Sequence, residues 1–254
     1  MDSFLMYFQL ESALQRWWVF GLLIVWGCLL FGGFVLGKTN AEGTRRMPAW
    51  TRMGSSLELV IAGWSWYWFV QGGSVGGFAL LIAIGMTLGC IGDLFLARLF
   101  PLPQPTLWGI GAFGLGHVMY IAALVSSGSQ HGLTAPGQVW GAWIGWLVIG
   151  LLGWYLMVFR GQKAGVLHWA ALPYALLLAS TAGFAWGLAL QNPVFVPVAI
   201  GAALFLLSDL ILAGELFNGL HFPLIGDVVW LTYGPAQALI VYGVNSALLV
   251  VGHK

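Results

Sequence analysis

Runs of about twenty apolar residues, broken only by short loops, recur from one end of this chain to the other, and they leave it few ways to fold. A bilayer core about 30 Å thick is crossed by a helix of roughly that length. Charge is as scarce as apolar length is abundant. The 254 residues include nine Lys/Arg and eight Asp/Glu, 7% in all, against 60% hydrophobic. A soluble domain carries about 25% charged residues, so this chain cannot dress a water-facing surface, and disorder is excluded by the same apolar excess. A net charge of +1, with no basic run longer than Arg45-Arg46, argues against nucleic acid as a partner. Cys28 and Cys90 both lie in apolar runs and read as small hydrophobes, with no disulfide framework or zinc site. The class that remains is an all-α, multi-pass membrane protein whose surrounding partner is the lipid bilayer.

Charges and Pro/Gly clusters divide the chain into eight expected spans within one integral membrane domain, at about 17–36, 55–71, 77–97, 106–125, 139–159, 165–190, 194–214 and 227–250. The second is short and carries Glu58; the sixth holds Pro173, which predicts a kink. The longest polar stretch, Lys38 to Arg52, is too short for a soluble domain. Asp2 and Glu11 precede the first span, which does not read as a cleaved signal. Loops after spans 1, 3, 5 and 7 hold seven basic residues: Lys38, Arg45, Arg46, Arg52, Arg98, Arg160 and Lys163. The opposite side holds Arg16 and Lys254. The positive-inside rule then places the first set in the cytoplasm and both termini outside, across the inner membrane if the cell is bacterial.

Fifteen tryptophans, among them Trp17, Trp18, Trp50, Trp68, Trp140 and Trp230 near span ends, read as an interfacial belt. Trp64, Trp66 and Trp68 alternate within span 2, which on a helix spreads them around the cylinder. An internal echo stands out: Gly92-Asp93-Leu94-Phe95-Leu96-Ala97 and Ser208-Asp209-Leu210-Ile211-Leu212-Ala213 lie four spans apart. An equal step onward from each Asp reaches His117 in span 4 and Tyr233 in span 8. Two parallel four-helix halves would produce this pattern, as would chance.

Ionisable side chains within spans are costly and mark function by default. Asp93 and Asp209 qualify, and counting from the expected span ends puts both roughly 6–8 Å inside the same boundary. Two carboxyls at one depth can share a pocket; alternatively each caps a broken helix or pairs with a basic residue such as Arg98. His117 and Tyr120 share a helix face at i, i+3, and Tyr233 and Gln237 at i, i+4. Glu58 and Glu215 lie near span ends and read as solvated. No H-E-x-x-H or His triad occurs, so a zinc peptidase reading lacks its parts, and no metal is expected.

These same residues carry a resemblance. Gly92-Asp93 with Leu94 to Ala97, Gly111-Ala112-Phe113 leading to His117-x-x-Tyr120, Ser208-Asp209, and Thr232-Tyr233-x-x-Ala236-Gln237 resemble, in order and spacing, the YhhN family of lysoplasmalogenase-like membrane proteins. Family members commonly open helix 2 with Lys-Pro, where this chain has Arg52-Met53, and often place a second aromatic after Tyr233, where it has Gly234-Pro235. The resemblance implies an eight-helix hydrolase that cleaves the vinyl ether of a lysoplasmalogen, a lysophospholipid, to a fatty aldehyde and a glycerophospho head group, without a cofactor. Such hydrolysis begins with proton transfer to the outer alkene carbon and passes through an oxocarbenium ion. A carboxylic acid that keeps its proton in a low-dielectric site, beside a second, ionised carboxylate, supplies both roles. Asp93 and Asp209 are the candidates, with His117, Tyr120, Ser208, Tyr233 and Gln237 in support around water or head group. A proton-coupled transporter would need the same intramembrane carboxyls, and a membrane scaffold would need neither. No protein partner is indicated.

Overall fold

The computed structural model describes residues 8–252; Asp2 and Lys254, which enter the sequence reading, lie outside them. Regular structure among the described residues is helical throughout. The first helix, α1 (Ala13–Leu36), starts before the expected 17 because Ser12 caps it: its Oγ accepts from Gln15 N–H at 3.2 Å while Gln15 Oε1 accepts from Ser12 N–H at 3.3 Å. Next comes α2 (Ala49–Val70), which also starts early, straight after Pro48. Arg52 is therefore a residue of the first turn of α2 and not of the preceding loop.

A tight turn leads to α3 (Gly76–Leu96) and then to α4 (Pro105–His131), which outruns its expected end until Gly132, at φ +73°, stops it. The fifth crossing is α5 (Pro136–Trp154), prolonged by a π-helical turn over Tyr155–Phe159, and α6 (Val166–Ala189) runs on through Pro173. A short 3₁₀ turn (Pro193–Phe195) feeds α7 (Val196–Asn218), which continues past 214 until Gly219 at φ +64°. The eighth span is two helices, α8 (Ile225–Val241) and α9 (Gly243–Gly252), divided at Tyr242, whose hydroxyl reaches back to Val19 O at 2.6 Å.

Seven crossings are long and apolar enough to span a membrane, taking α8 with α9 as one. The exception is α2, as its Glu58 and short expected length foretold. It is nonetheless long enough, about 33 Å at 1.5 Å per residue, and it packs between α1 and α3. The polar side chains that lower its hydropathy are turned inward: Thr51, Ser55 and Ser56 are all buried. Trp66 is fully buried and Trp68 mostly exposed, so the alternating tryptophans do spread around the helix. Trp230 leaves the expected belt and is buried in the bundle.

Successive helices pack on one another, α1 on α2 through to α3 on α4, and α5 on α6 through to α7 on α8. The fourth helix of each run crosses over, α4 onto α6 and α8 onto α2. One end of the bundle is where Gln9 N–H donates to Asn245 Oδ1 at 2.9 Å and the rings of Phe8, Trp66 and Tyr242 cluster.

Close packing of α3 rests on small residues at one-turn intervals. A Cβ at Gly85 would lie 2.4 Å from Tyr120 Cε1, at Gly89 2.9 Å from Gln237 Nε2, and at Gly92 2.7 Å from Phe113 Cε2. In a membrane, where water exclusion does not drive helices together, such stripes permit the close approach that dispersion and hydrogen bonding require. Here the space they leave is filled by the polar and aromatic side chains of the site.

Candidate functional site

Asp93, in the last turn of α3, is buried, and hydroxyls from two other helices converge on it. Ser56 Oγ of α2 donates to its Oδ2 at 2.5 Å, and Tyr233 OH of α8 donates to the same oxygen at 2.8 Å. Behind Tyr233 the chain of bonds continues: Gln237 Nε2 donates to Tyr233 OH at 2.7 Å, and Tyr120 OH donates to Gln237 Oε1 at 3.1 Å. Asp93 Oδ2 is thereby committed to two donors, while its Oδ1 takes none from the protein.

Asp209 is held differently. Tyr174 OH of α6 donates to its Oδ2, and Ser208 Oγ approaches Oδ1 at 3.2 Å while also donating to Phe205 O at 2.8 Å. Because α7 is longer than expected, Asp209 stands roughly two turns from its end, whereas Asp93 is in the last turn of α3. Counting from helix ends therefore does not give the two carboxyls one depth. Nevertheless both line a single cavity of about 510 Å³, together with their tyrosines. Between the two tyrosines sits Phe113, with ring centroids 6.1 Å from Tyr233 and 6.5 Å from Tyr174. The volume is in the range of small-molecule sites, and the walls are mostly aliphatic and aromatic.

The cavity lies toward the end of the bundle that carries the basic loops. Arg45, Arg52 and Arg98 line it there, with Glu215 among the same lining residues and not merely a solvated helix end. The Arg52 guanidinium lies over the Trp230 ring at 5.5 Å, and its Nε is buried without a hydrogen-bond partner. Asp93 takes its bonds from hydroxyls, so the expected alternative of a pairing with Arg98 is not what the structure contains.

A further carboxylate organises the approach to the cavity. Asp227, in the first turn of α8, is fully buried and accepts from Arg46 N–H at 2.5 Å and Met47 N–H at 2.9 Å. Leu224 N–H and Gly226 N–H in turn donate to Gly43 O and Thr44 O, both at 2.9 Å. The α1–α2 loop is thus stitched to the start of α8, and Arg45 is held at the cavity wall. Arg46 is occupied elsewhere, its side chain bonded to Gly37 O and Val35 O.

Of the seven residues the sequence singles out, Asp93, Asp209 and Tyr233 line the cavity. Gln237, Tyr120 and Ser208 stand behind them as donors and orienters. His117 is placed apart. Its Nδ1 meets Thr181 Oγ1 at 2.9 Å, and because Thr181 already donates to Leu177 O, the histidine is the donor. The ring packs edge-on against Phe205 at 4.5 Å, its Nε2 is buried without a partner, and it does not line the cavity. Four contributors escape the sequence reading: Ser56, Tyr174, Arg52 in its helical setting, and Asp227. Tyr174 follows Pro173 in an apolar span and bears no charge, so only its neighbour Pro173 marks the place. Among the described residues no group of three His, Cys, Asp or Glu side chains converges as a metal site would need.

A helical bundle with a pair of hydroxyl-bound carboxyls over one largely apolar cavity defines a multi-pass membrane protein with a polar intramembrane site. The sequence profile of the YhhN family matches residues 50–244, which takes in every crossing from α2 onward in part or whole and both aspartates, and the chain belongs to that family. No curated protein and no solved structure matches it.

Proposed function

We propose that the protein is a membrane-embedded hydrolase of the vinyl ether bond in lysoplasmalogens. One observation carries the reading: two aspartates line the same cavity with unequal hydrogen bonding. Asp93 presents an oxygen that the protein leaves unbonded, Oδ1, while its Oδ2 receives two hydroxyl protons. That arrangement accommodates a neutral carboxylic acid, with Oδ2 as the accepting carbonyl oxygen and the proton on the free Oδ1. Asp209 receives a phenol proton on Oδ2 and a share of Ser208's on Oδ1, which suits a carboxylate that stays ionised.

The roles follow. Asp93 gives its proton to the outer alkene carbon, leaving an oxocarbenium ion at the carbon bonded to the ether oxygen. Asp209 steadies that cation and takes a proton from the attacking water. The resulting hemiacetal breaks its bond to the glycerol oxygen, releasing a fatty aldehyde and the glycerophospho head group. One water is consumed, and the proton gained by Asp209 returns to Asp93 through cavity water. The Tyr120–Gln237–Tyr233 relay keeps Asp93 in one orientation throughout. Glycosidases pass through a comparable cation with a comparable division of labour between two carboxyls.

Purified full-length protein in detergent, given a 1-alkenyl lysophospholipid, is expected to release aldehyde well above empty micelles. The 1-acyl analogue should release no aldehyde. Absence of release above the micelle background overturns the hydrolase reading. Uptake of a solute into proteoliposomes driven by a proton gradient would then favour a carrier.

A further inference from the structure

Three arginines at the cavity, Arg45, Arg52 and Arg98, have no carboxylate or other side-chain hydrogen-bond partner among the described residues. Asp93, Asp209 and Glu215 share the cavity but none bonds these guanidinium groups, and an unpaired guanidinium at a largely apolar wall fits a ligand that brings its own negative charge. Arg45 and Arg52 come from different segments, both fixed against α8. Asp227 pins the loop that carries Arg45, and Trp230 of the same helix, α8, stacks beneath Arg52.

We propose that Arg45 and Arg52, with Arg98 beside them, form a phosphate-binding subsite that seats the head group of a lysophospholipid. The inference rests on the hydrolase reading for its reacting bond and on the arginines alone for its anion. Geometry links the two. Arg52 and Ser56 lie four residues apart on α2, hence on one face and about 6 Å apart along the axis. Ser56 is the residue that donates to Asp93. A phosphate held at Arg52 is therefore about one turn plus the reach of a side chain from the acid. In a 1-alkenyl lysophospholipid, seven bonds separate phosphorus from the carbon to be protonated. Extended, they span about 8 Å at the roughly 1.2 Å per bond of an extended chain. A planar guanidinium fork binds two phosphate oxygens at once, which sets the position of the glycerol as well as its affinity. Phosphate recognition would thus act as the ruler that brings the vinyl ether, rather than a chain methylene, to Asp93.

Binding, not turnover, separates this inference from the activity. Full-length protein in detergent is titrated with a saturated 1-O-alkyl lysophospholipid, which has the phosphate but no vinyl bond, and with the matching 1-O-alkylglycerol, which has neither. Inorganic phosphate is the third arm. The phospholipid should bind at least tenfold tighter than the alkylglycerol, and Arg52→Ala and Arg45→Ala should each weaken it about tenfold or more while leaving the alkylglycerol unchanged. Arg52→Lys, which keeps the charge but not the fork, should fall between. Inorganic phosphate at millimolar levels should compete with the phospholipid, and absence of competition counts against a subsite that reads phosphate. If Arg52→Ala does not hold its fold, Arg45→Ala and Arg52→Lys decide the matter. Phospholipid affinity within twofold of wild type in the folded arginine variants, or equal binding of the alkylglycerol, overturns the subsite. Arginine-dependent phospholipid binding without aldehyde release would sink the hydrolase reading and leave the subsite standing.

Discussion

Asp93 and Asp209 differ less in chemistry than in who donates to them, and that difference should be measurable. Asp93→Asn and Asp209→Asn keep size and polarity but remove the acid and the base. Each is expected to lower vinyl ether turnover about 10²–10⁴-fold in protein that still elutes as a folded species. The double variant should be scarcely worse than the worse single one, because the two groups serve one step. Near-normal turnover in either folded single variant removes that aspartate from the mechanism. His117 makes the opposite case. It packs against Phe205 and bonds Thr181 away from the cavity, so His117→Leu should leave turnover within about threefold while shifting thermal stability. A loss of turnover comparable with that of the aspartate variants would return His117 to the site. Its sequence position, one equal step from Asp93 as Tyr233 is from Asp209, gives no hint of this, because helix rotation is invisible in a spacing.

Among the helices, α3 does the most to shape the site, through what its glycines omit. Gly85→Ala would drive a Cβ to within 2.4 Å of the Tyr120 ring, at the far end of the relay that ends on Asp93. Overpacking of this kind typically costs about 1–3 kcal/mol, and here it should also slow turnover by displacing Tyr120. Gly111→Ala, on α4, meets nothing within 4 Å and serves as the matched control, with a melting temperature no lower than wild type and an unchanged rate. Equal behaviour of the two would mean that α3 is not closely packed where the relay begins. The second helix carries a related lesson. Its serines and its arginine make it the least membrane-like crossing by hydropathy, yet Ser56 and Arg52 are the reason it belongs beside α3 and α8.

For the molecule as a whole, the contact between Gln9 and Asn245 and the cavity mouth occupy opposite ends of the bundle. Gln9 meets Asn245 at one end; the basic loops and Asp227's latch surround the other. We expect the mouth to face the cytoplasm, following the excess of basic residues in its loops. A reporter fused after Lys254 that is active only outside the cytoplasm should give signal, and one active only inside should not; the reverse result inverts the molecule. Asp227→Ala removes two charge-assisted hydrogen bonds to the α1–α2 loop, each worth about 1.5–3 kcal/mol. Its expected signature is faster tryptic cleavage at Lys38, Arg45 or Arg46 with the rest of the bundle protected. Unchanged cleavage would show that the loop is held by other contacts.

Hydropathy alone was enough to determine an all-helical, multi-pass fold, because crossing lipid demands length and apolarity that add up along the chain. Charge within those spans was enough to single out Asp93 and Asp209, since a carboxyl inside a bilayer is conspicuous against its neighbours. Tertiary structure alone decided that Ser56 and Tyr174 hold them, that His117 turns away, and that Asp227 fastens the loop bearing Arg45. Neutral hydroxyls cost far less than a charge in a membrane helix, so no single one stands out from its neighbours as a carboxyl does. Their partners are chosen by helix rotation and by contacts between residues as far apart as Asp93 and Tyr233, neither of which any local pattern records.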